Sequence, residues 1–535
     1  SGTQKLDQRE SNVEESSRSI ACYEMSPSSG AGPFYRRRDL LFLLTVYASL
    51  SFVTNFPSGF TNSSVNTAVE ALDSFIARSY HHRGYALDEG TLALVRSATL
   101  NAWFFFQIFG ALLSPMFLDE YGRRQGYIIG CAVTLASTVV QLAGVRLGLP
   151  ELVIVGRSLT AVASPLCDAC LILYLQETAP LSMRGEVSFF CEIGHGSMCV
   201  LGSALGMRNV LGYALSPLLL SSIPPEAISL LVVWFVPETP KYLLIMRNNR
   251  AGAIRSLDFF LGEGVKGNTR HDEILWQIER ERAVEAGKQQ SSFRECLSTF
   301  HIRRAIALSC AVLVLTLSFY PLLQSSTHFF LAIKLSSSVS EFSSMLIMVI
   351  FTLSCVVGST IIDRYPRRTL IIGFGIITNT FLLAFAVLSH CARTHPAVKY
   401  AALAAVLGYC ISFGLVLGPL SWFVATEMVS QRHRATVFSI CYAVSNALIA
   451  ATNFATVPLY RLIGGAAFIV LFIVPSLFSL VFIYRCMPES LGKQAHEVVI
   501  EIRKSQESLY EVDHAPLLHD VDDDCWIDDD EAFKF

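Results

Sequence analysis

The sequence predicts an all-α membrane protein of twelve transmembrane helices, in two six-helix halves with a small cytoplasmic helical domain between them. Composition, recurring uncharged windows and an internal repeat of charged motifs carry that expectation. Of the 535 residues, 52% are hydrophobic and only 16% are charged, and the mean hydropathy is +0.47. Soluble domains carry about 25% charged residues. The charges here are bunched, leaving long stretches with none. A bilayer core about 30 Å thick needs roughly 20 apolar residues in helix to cross it.

Windows of that length recur in order. The first six spans start near Leu40 and Ser97, run over Gly126–Val145, and start again near Leu152, Val187 and Asn209. The seventh starts near Ala305, followed by Ser343–Ile362, Thr369–His390, Tyr400–Thr426, Val437–Tyr460 and Gly465–Tyr484. This divides the chain into a disordered cytoplasmic N-tail (1–38), a first half (39–240), a cytoplasmic helical linker (241–302), a second half (303–493) and a disordered acidic cytoplasmic C-tail (494–535). The first 32 residues are rich in Ser and Glu and show no apolar stretch of signal-peptide length. Most of the 14 cysteines fall inside the spans, where a thiol acts as a small hydrophobe. Cys167-Asp-Ala-Cys170 has metal-like spacing but lies mid-helix with no second ligand pair nearby, so neither metal nor cofactor is expected.

Basic residues orient the spans. Arg36, Arg37 and Arg38 precede the first span, Arg247 and Arg250 follow the sixth, Arg303 and Arg304 precede the seventh, and Arg485 and Lys493 follow the last. With an even number of spans these share one side, which the positive-inside rule makes cytoplasmic. The first inter-span loop, about Thr61 to Arg96, then falls outside, carrying the glycosylation acceptor Asn62-Ser63-Ser64.

The repeat is the most informative feature. Asp119-Glu-Tyr-Gly-Arg123-Arg124 returns as Asp363-Arg-Tyr-Pro-Arg367-Arg368, an offset of 363 − 119 = 244. Glu177 with Arg184 returns as Glu427 with Arg434 (427 − 177 = 250), and Pro237-Glu238 as Pro488-Glu489 (488 − 237 = 251). Three motifs in one order at nearly one offset indicate a duplicated six-span unit, the architecture of a rocker-type transporter with a midplane site. Each motif lies between apolar spans on the cytoplasmic face. Arg and carboxylate near the headgroups pair bidentately, so these groups are expected to form a gate that ties the halves together and breaks when the protein opens inward. The simpler reading makes them positive-inside anchors at helix ends.

Together these motifs resemble the major facilitator superfamily. Asp119-x-x-Gly122-Arg123-Arg124 matches its signature loop. Pro237-Glu-Thr-Pro240-Lys-Tyr-Leu-Leu244, Glu177-Thr-Ala-Pro180 with Arg184-Gly185, Gly156-Arg157 and Pro488-Glu-Ser-Leu-Gly492-Lys493 are similar to signatures of its sugar-porter family, which includes the facilitative glucose transporters. The resemblance runs from about Asp39 to Lys493. It implies the major facilitator fold and alternating-access transport of a hexose or related sugar or polyol. It also implies a linker of cytoplasmic helices, and His271 to Gly287 agrees, with apolar residues at Ile274, Leu275, Ile278 and Val284 near helical spacing.

The resemblance places Trp422 where the family stacks an indole on the sugar ring. The family's amides are largely absent: Glu192 stands for a glutamine, Asp168 for a hydroxyl residue, and Leu317 to Leu323 lack the paired glutamines. Gln324 and Asn446 are the polar groups left nearby. Ionisable groups at mid-membrane cost about 2.5–3.5 kcal/mol on insertion scales and generally face a cavity or a partner. Asp168 and Glu192 therefore either pair with Arg157 or His195, stay protonated, or serve a coupled proton or a cationic solute. A nutrient sensor on a transporter scaffold is a further reading, and no constellation suggests an enzyme. In the C-tail, Asp513-His-Ala-Pro-Leu517-Leu518 has the form of an acidic dileucine signal for sorting adaptors, which would place the protein in endolysosomal rather than plasma membranes.

Overall fold

A computed structural model of the chain describes residues 37–179, 184–262, 274–276, 278–279, 293–362, 364–392, 398–429 and 433–489. Eleven helices among them are long and apolar enough to cross a membrane. In the first half these are Leu40–Thr67 (α1), Glu89–Leu118 (α2), Arg123–Leu147 (α3), Pro150–Thr178 (α4) and Leu215–Phe235 (α6). In the second half they are Phe300–Ala332 (α7), Ser337–Ser359 (α8), Arg367–Cys391 (α9), Val398–Trp422 (α10), Thr436–Ile463 (α11) and Ala466–Cys486 (α12). A shorter apolar helix, Phe189–Leu205 (α5), completes twelve. No strand occurs among the described residues, and the protein is a multi-pass integral membrane protein of twelve helices.

The fold corrects the expected loop from Thr61 to Arg96. α1 continues through Thr67, a second helix runs over Val69–His82, and α2 starts at Glu89 rather than near Ser97. The polar run 61–67 stays helical because its hydroxyls are satisfied locally and by packing. Ser63 Oγ donates to Gly59 O at 2.6 Å, and Thr67 Oγ1 to Ser203 O of α5 at 3.1 Å. A buried hydroxyl that returns its proton to a carbonyl one turn back carries no desolvation penalty. Asp88 caps α2, accepting from Gly90 N at 3.2 Å.

Each half has its own core. Tyr47, Tyr127, Tyr174 and Val233 centre the first, which extends to Leu257 and Phe260 of the helix Arg250–Leu261 and to Leu275 and Ile278. Phe329, Phe351, Phe385, Tyr409 and Phe468 centre the second. Large apolar side chains point outward, Phe235 at 78% exposed and Phe478 at 75%, as on a surface solvated by lipid. Val284 and the sorting motif at Asp513, Leu517 and Leu518 lie outside the described residues.

The halves meet where α5 packs on α8 and α2 on α11. The approach of α5 to α8 requires glycine at 196, since a Cβ there would lie 2.4 Å from Thr352 Oγ1. Among the described residues four spanning helices depart from regular α geometry, α12 through a π-turn at Ile469–Ile473 and three others nearer the seam. α1 widens into a π-turn at Phe56–Phe60, α10 does so at Phe413–Leu417, and α7 is kinked at Ser325 (φ −138°).

Candidate functional site

A cavity lies between the halves, lined by residues of both. The π-turn of α1 brings Asn55 and Ser58 to its wall. α2 presents Trp103, Phe104 and Gln107, whose i, i+4 spacing sets 103 and 107 on one face. α4 adds Asp168, α5 adds Glu192 and His195, and α7 adds Phe319 and Tyr320. Phe413, Ser421 and Trp422 come from α10, and Phe438, Tyr442 and Asn446 from α11. Among the described residues, no Lys or Arg lines it.

Four of the five expected solute-facing residues come together here: Trp422, Glu192, Asp168 and Asn446. Trp422 packs against Tyr442, ring centroids 5.1 Å apart, and against Phe438 at 6.4 Å. Asn446 Nδ2 donates to Tyr442 O at 2.9 Å. Asp168 Oδ2 accepts the Tyr442 hydroxyl at 2.9 Å, a bond from one half to the other, and Ser164 Oγ at 3.4 Å. Glu192 makes no hydrogen bond with any described residue. Neither does Gln107, although only 4% of its surface is exposed.

The fifth, Gln324, is corrected. It is not on the wall: Nε2 donates to Leu100 O at 2.9 Å and Oε1 accepts from Asn453 Nδ2 at 3.2 Å. With both ends of its amide occupied and 5% exposure, it pins α7 to α2 and has nothing left for a solute. The pairing of either acid with Arg157 is likewise overturned. Arg157 is buried, and its guanidinium donates to Thr99 O at 3.0 Å and to Asn62 Oδ1 at 2.9 Å. His195 instead sits 3.5 Å from Cys199 Sγ. The expected glycosylation acceptor is corrected by the same contact. Asn62 is 4% exposed in the helical part of α1, its amide committed to Arg157, and a glycan cannot be attached to a side chain in that position.

The charged turns form two matching cages at one end of the bundle. In the first half, Arg123 Nε and Nη2 donate to Glu177 Oε1 at 3.1 and 2.8 Å, and the guanidinium lies 5.0 Å from the Tyr242 ring. The Arg124 N–H donates to Glu238 Oε2 at 2.9 Å, and its guanidinium to Trp234 O at 2.6 Å. In the second half, Arg367 pairs with Glu427. The Arg367 and Arg368 N–H groups donate to the two oxygens of Glu489 at 2.9 and 3.1 Å, and Arg368 reaches Tyr484 O. Glu238 and Glu489 thus hold the amides that open α3 and α9, where helix N–H groups lack internal partners. Burial pushes the Glu238 carboxyl above its ordinary range, while the Thr239 and Arg124 amides pull the other way. Asp363 and the side chains of Asp119 and Arg184 lie outside the described residues.

One expectation about these turns changes. The ion pairs just described close within a half, so they brace each half's own turns and do not themselves tie one half to the other. Among the described residues, other hydrogen bonds join the halves directly. Ser439 Oγ donates to Ala111 O at 2.6 Å on the side of the charged turns. On the opposite side, Asn66 Nδ2 donates to Leu323 O at 3.1 Å and Ser326 Oγ at 3.0 Å.

Sequence reasoning missed Gln107 and Tyr442 in the cavity, and the roles of Glu238 and Glu489. The repeat of Pro-Glu at 237 and 488 was the available signal for the last two. Gln107 gave none beyond being the lone amide between Asn101 and Arg123 apart from the loop.

The chain matches the family described as Sugar (and other) transporter over residues 43–500. It is 25% identical over 473 residues to the mouse Solute carrier family 2, facilitated glucose transporter member 7, covering 86% of this chain and 90% of that one. To the chicken facilitated glucose transporter member 1 it is 23% identical, over 83% and 90% of the two chains. Among solved structures it is similar to the proton:xylose symporter XylE bound to 6-bromo-6-deoxy-D-glucose, at TM-score 0.70 and 17% identity, over 89% of this chain and all of that one. The inward-open xylose transporter XylE from E. coli gives TM-score 0.66 over 86% and 99%. The major facilitator fold expected from the charged motifs is therefore the fold of this protein.

Proposed function

The chain belongs to the sugar transporter family, and on that premise we propose that it carries a hexose or related sugar or polyol across a membrane by alternating access. The carrying observation is the cavity between the halves, which sets aromatic faces beside neutral hydrogen-bonding groups. Hydroxyls are read by neutral donors and acceptors, and the face of Trp422 packs against a ring's C–H surface. The names of the mouse, chicken and E. coli relatives, glucose and xylose transporters, support a monosaccharide as the solute.

In this reading Trp422, Asn446, Asp168 and Glu192 face the solute. The moving units are 39–240 and 303–493, with 241–302 as the linker. The cages built on Arg123, Arg124 and Glu177, and on Arg367, Arg368 and Glu427, keep each half rigid as it rocks. Asp119, Arg184, Asp363 and Arg434 complete the gate at that end. Both termini are cytoplasmic and the host is the plasma membrane. Adaptors reading Asp513, Leu517 and Leu518 would route it to endolysosomes instead.

Counterflow tests the function. Proteoliposomes of the purified chain, preloaded with unlabelled hexose, take up labelled hexose to a transient overshoot without ATP or an imposed ion gradient. Flux no greater than in protein-free liposomes, across hexoses, pentoses and polyols, overturns the reading.

A further inference from the structure

The cavity contains more acid than a neutral sugar needs. Asp168 and Glu192 face the same space, where among the described residues His195 is the one basic side chain and no Lys or Arg is present. The buried base nearest in sequence to Asp168, Arg157, is committed to Thr99 O and Asn62. Both acids are half-buried on the cavity wall, and ionisable groups at this depth generally face a cavity or a partner that suits their charge.

Their hydrogen bonds differ in a useful way. Asp168 is held by Tyr442 and Ser164 through Oδ2 alone. Glu192 has no partner among the described residues. An independent observation bears on the same space. Gln107 lines the cavity at 4% exposure with its amide unsatisfied by any described residue. Buried amides without partners are rare unless a ligand or water supplies them.

We propose that the solute carries a protonated amine beside its hydroxyls, and that Glu192, assisted by Asp168 and Gln107, recognises that amine. The inference rests on the transport reading and narrows its solute to amino sugars and similar hydroxylated amines. An ammonium supplies N–H donors to both carboxylates and to the Gln107 carbonyl oxygen. It also uses the faces of Trp422 and Tyr442, which attract cations through the ring quadrupole.

Competition with labelled glucose in proteoliposomes provides the test, with glucose and its amino-deoxy isomers bearing nitrogen at C2, C3 or C6 as competitors. At about pH 6.5, where such an amine is charged, at least one isomer should compete at a tenfold lower concentration than glucose. Glu192→Gln should erase that advantage, and Asp168→Asn should reduce it. The wild-type comparison stands alone, so a misfolded variant does not decide the result. Three amino isomers no better than glucose, or an advantage that survives Glu192→Gln, overturn the inference while leaving sugar transport intact. Glucose uptake driven by a proton gradient and abolished by Glu192→Gln, with no amine advantage, also overturns it. A protein that moves no sugar, amino or plain, breaks the transport reading and with it the claim that an amine is carried.

Discussion

The charged turns and the central cavity are built on opposite principles. At the turns the two halves are near copies. Arg123 meets Glu177 as Arg367 meets Glu427, Glu238 receives the opening amides of α3 as Glu489 does those of α9, and even the carbonyls of Trp234 and Tyr484 serve equivalent arginines. In the cavity the symmetry is gone. The acids and Gln107 come from the first half, while Trp422, Tyr442 and Asn446 come from the second. A turn must satisfy the same orphaned helix amides and buried charges in either half, whatever is carried. A solute has no two-fold axis, so nothing obliges the walls facing it to match.

The largest test of that contrast is Arg123→Leu beside Arg367→Leu. Each leaves a carboxylate without its guanidinium, which costs about 3–5 kcal/mol for a buried pair and less where the acid is partly exposed, as Glu427 is at 29% against 7% for Glu177. Thermal melting in detergent should fall in both, and a large drop in one with tolerance of the other would end the equivalence. The turns differ at two places, Glu120 against Arg364 and Gly122 against Pro366, and the second changes the backbone, from φ +91° to φ −54°. An added Cβ at 122 would also lie 2.6 Å from Glu238 Oε2. Gly122→Ala should therefore lower stability by about 1–3 kcal/mol, whereas Pro366→Ala should stay within about 1 kcal/mol.

Tyr442→Phe probes the cavity instead. Losing one hydrogen bond to a carboxylate is worth about 1.5 kcal/mol, roughly tenfold in apparent affinity. It should appear in the KM of uptake with little change in melting. Equal effects on both would make Tyr442 a structural tie only. The smallest expected effect is none: glycosidase treatment should leave the electrophoretic mobility of the protein unchanged, because Asn62 is engaged by Arg157 inside the bundle.

How much of this was legible beforehand depended on periodicity. Twelve spans and the grouping of the repeated charges at one face follow from apolar windows and a repeated charge pattern; that the described ion pairs close within a half does not. The helix at Thr61–Thr67 was read as loop, since polarity looks the same whether a hydroxyl meets water or a carbonyl one turn back. Asp168 and Glu192 announced themselves as charges in apolar surroundings. Gln324 misled for the complementary reason: a polar residue near the site was taken to face it, when its amide was already spent on Leu100 and Asn453. Which way a side chain points, and toward which half, is decided by packing that no local spacing records.

The π-turns of α1 and α10 border the cavity on two sides. A π-turn holds one residue more than an α-turn, and passing that surplus along the helix would rotate what lies between by about 100°. Asn55 and Ser58, or Phe413 and Gly418, would then trade places with their neighbours while both ends of each helix stayed seated. The lining would become adjustable rather than fixed, like a lock whose pins turn inside a body that does not move.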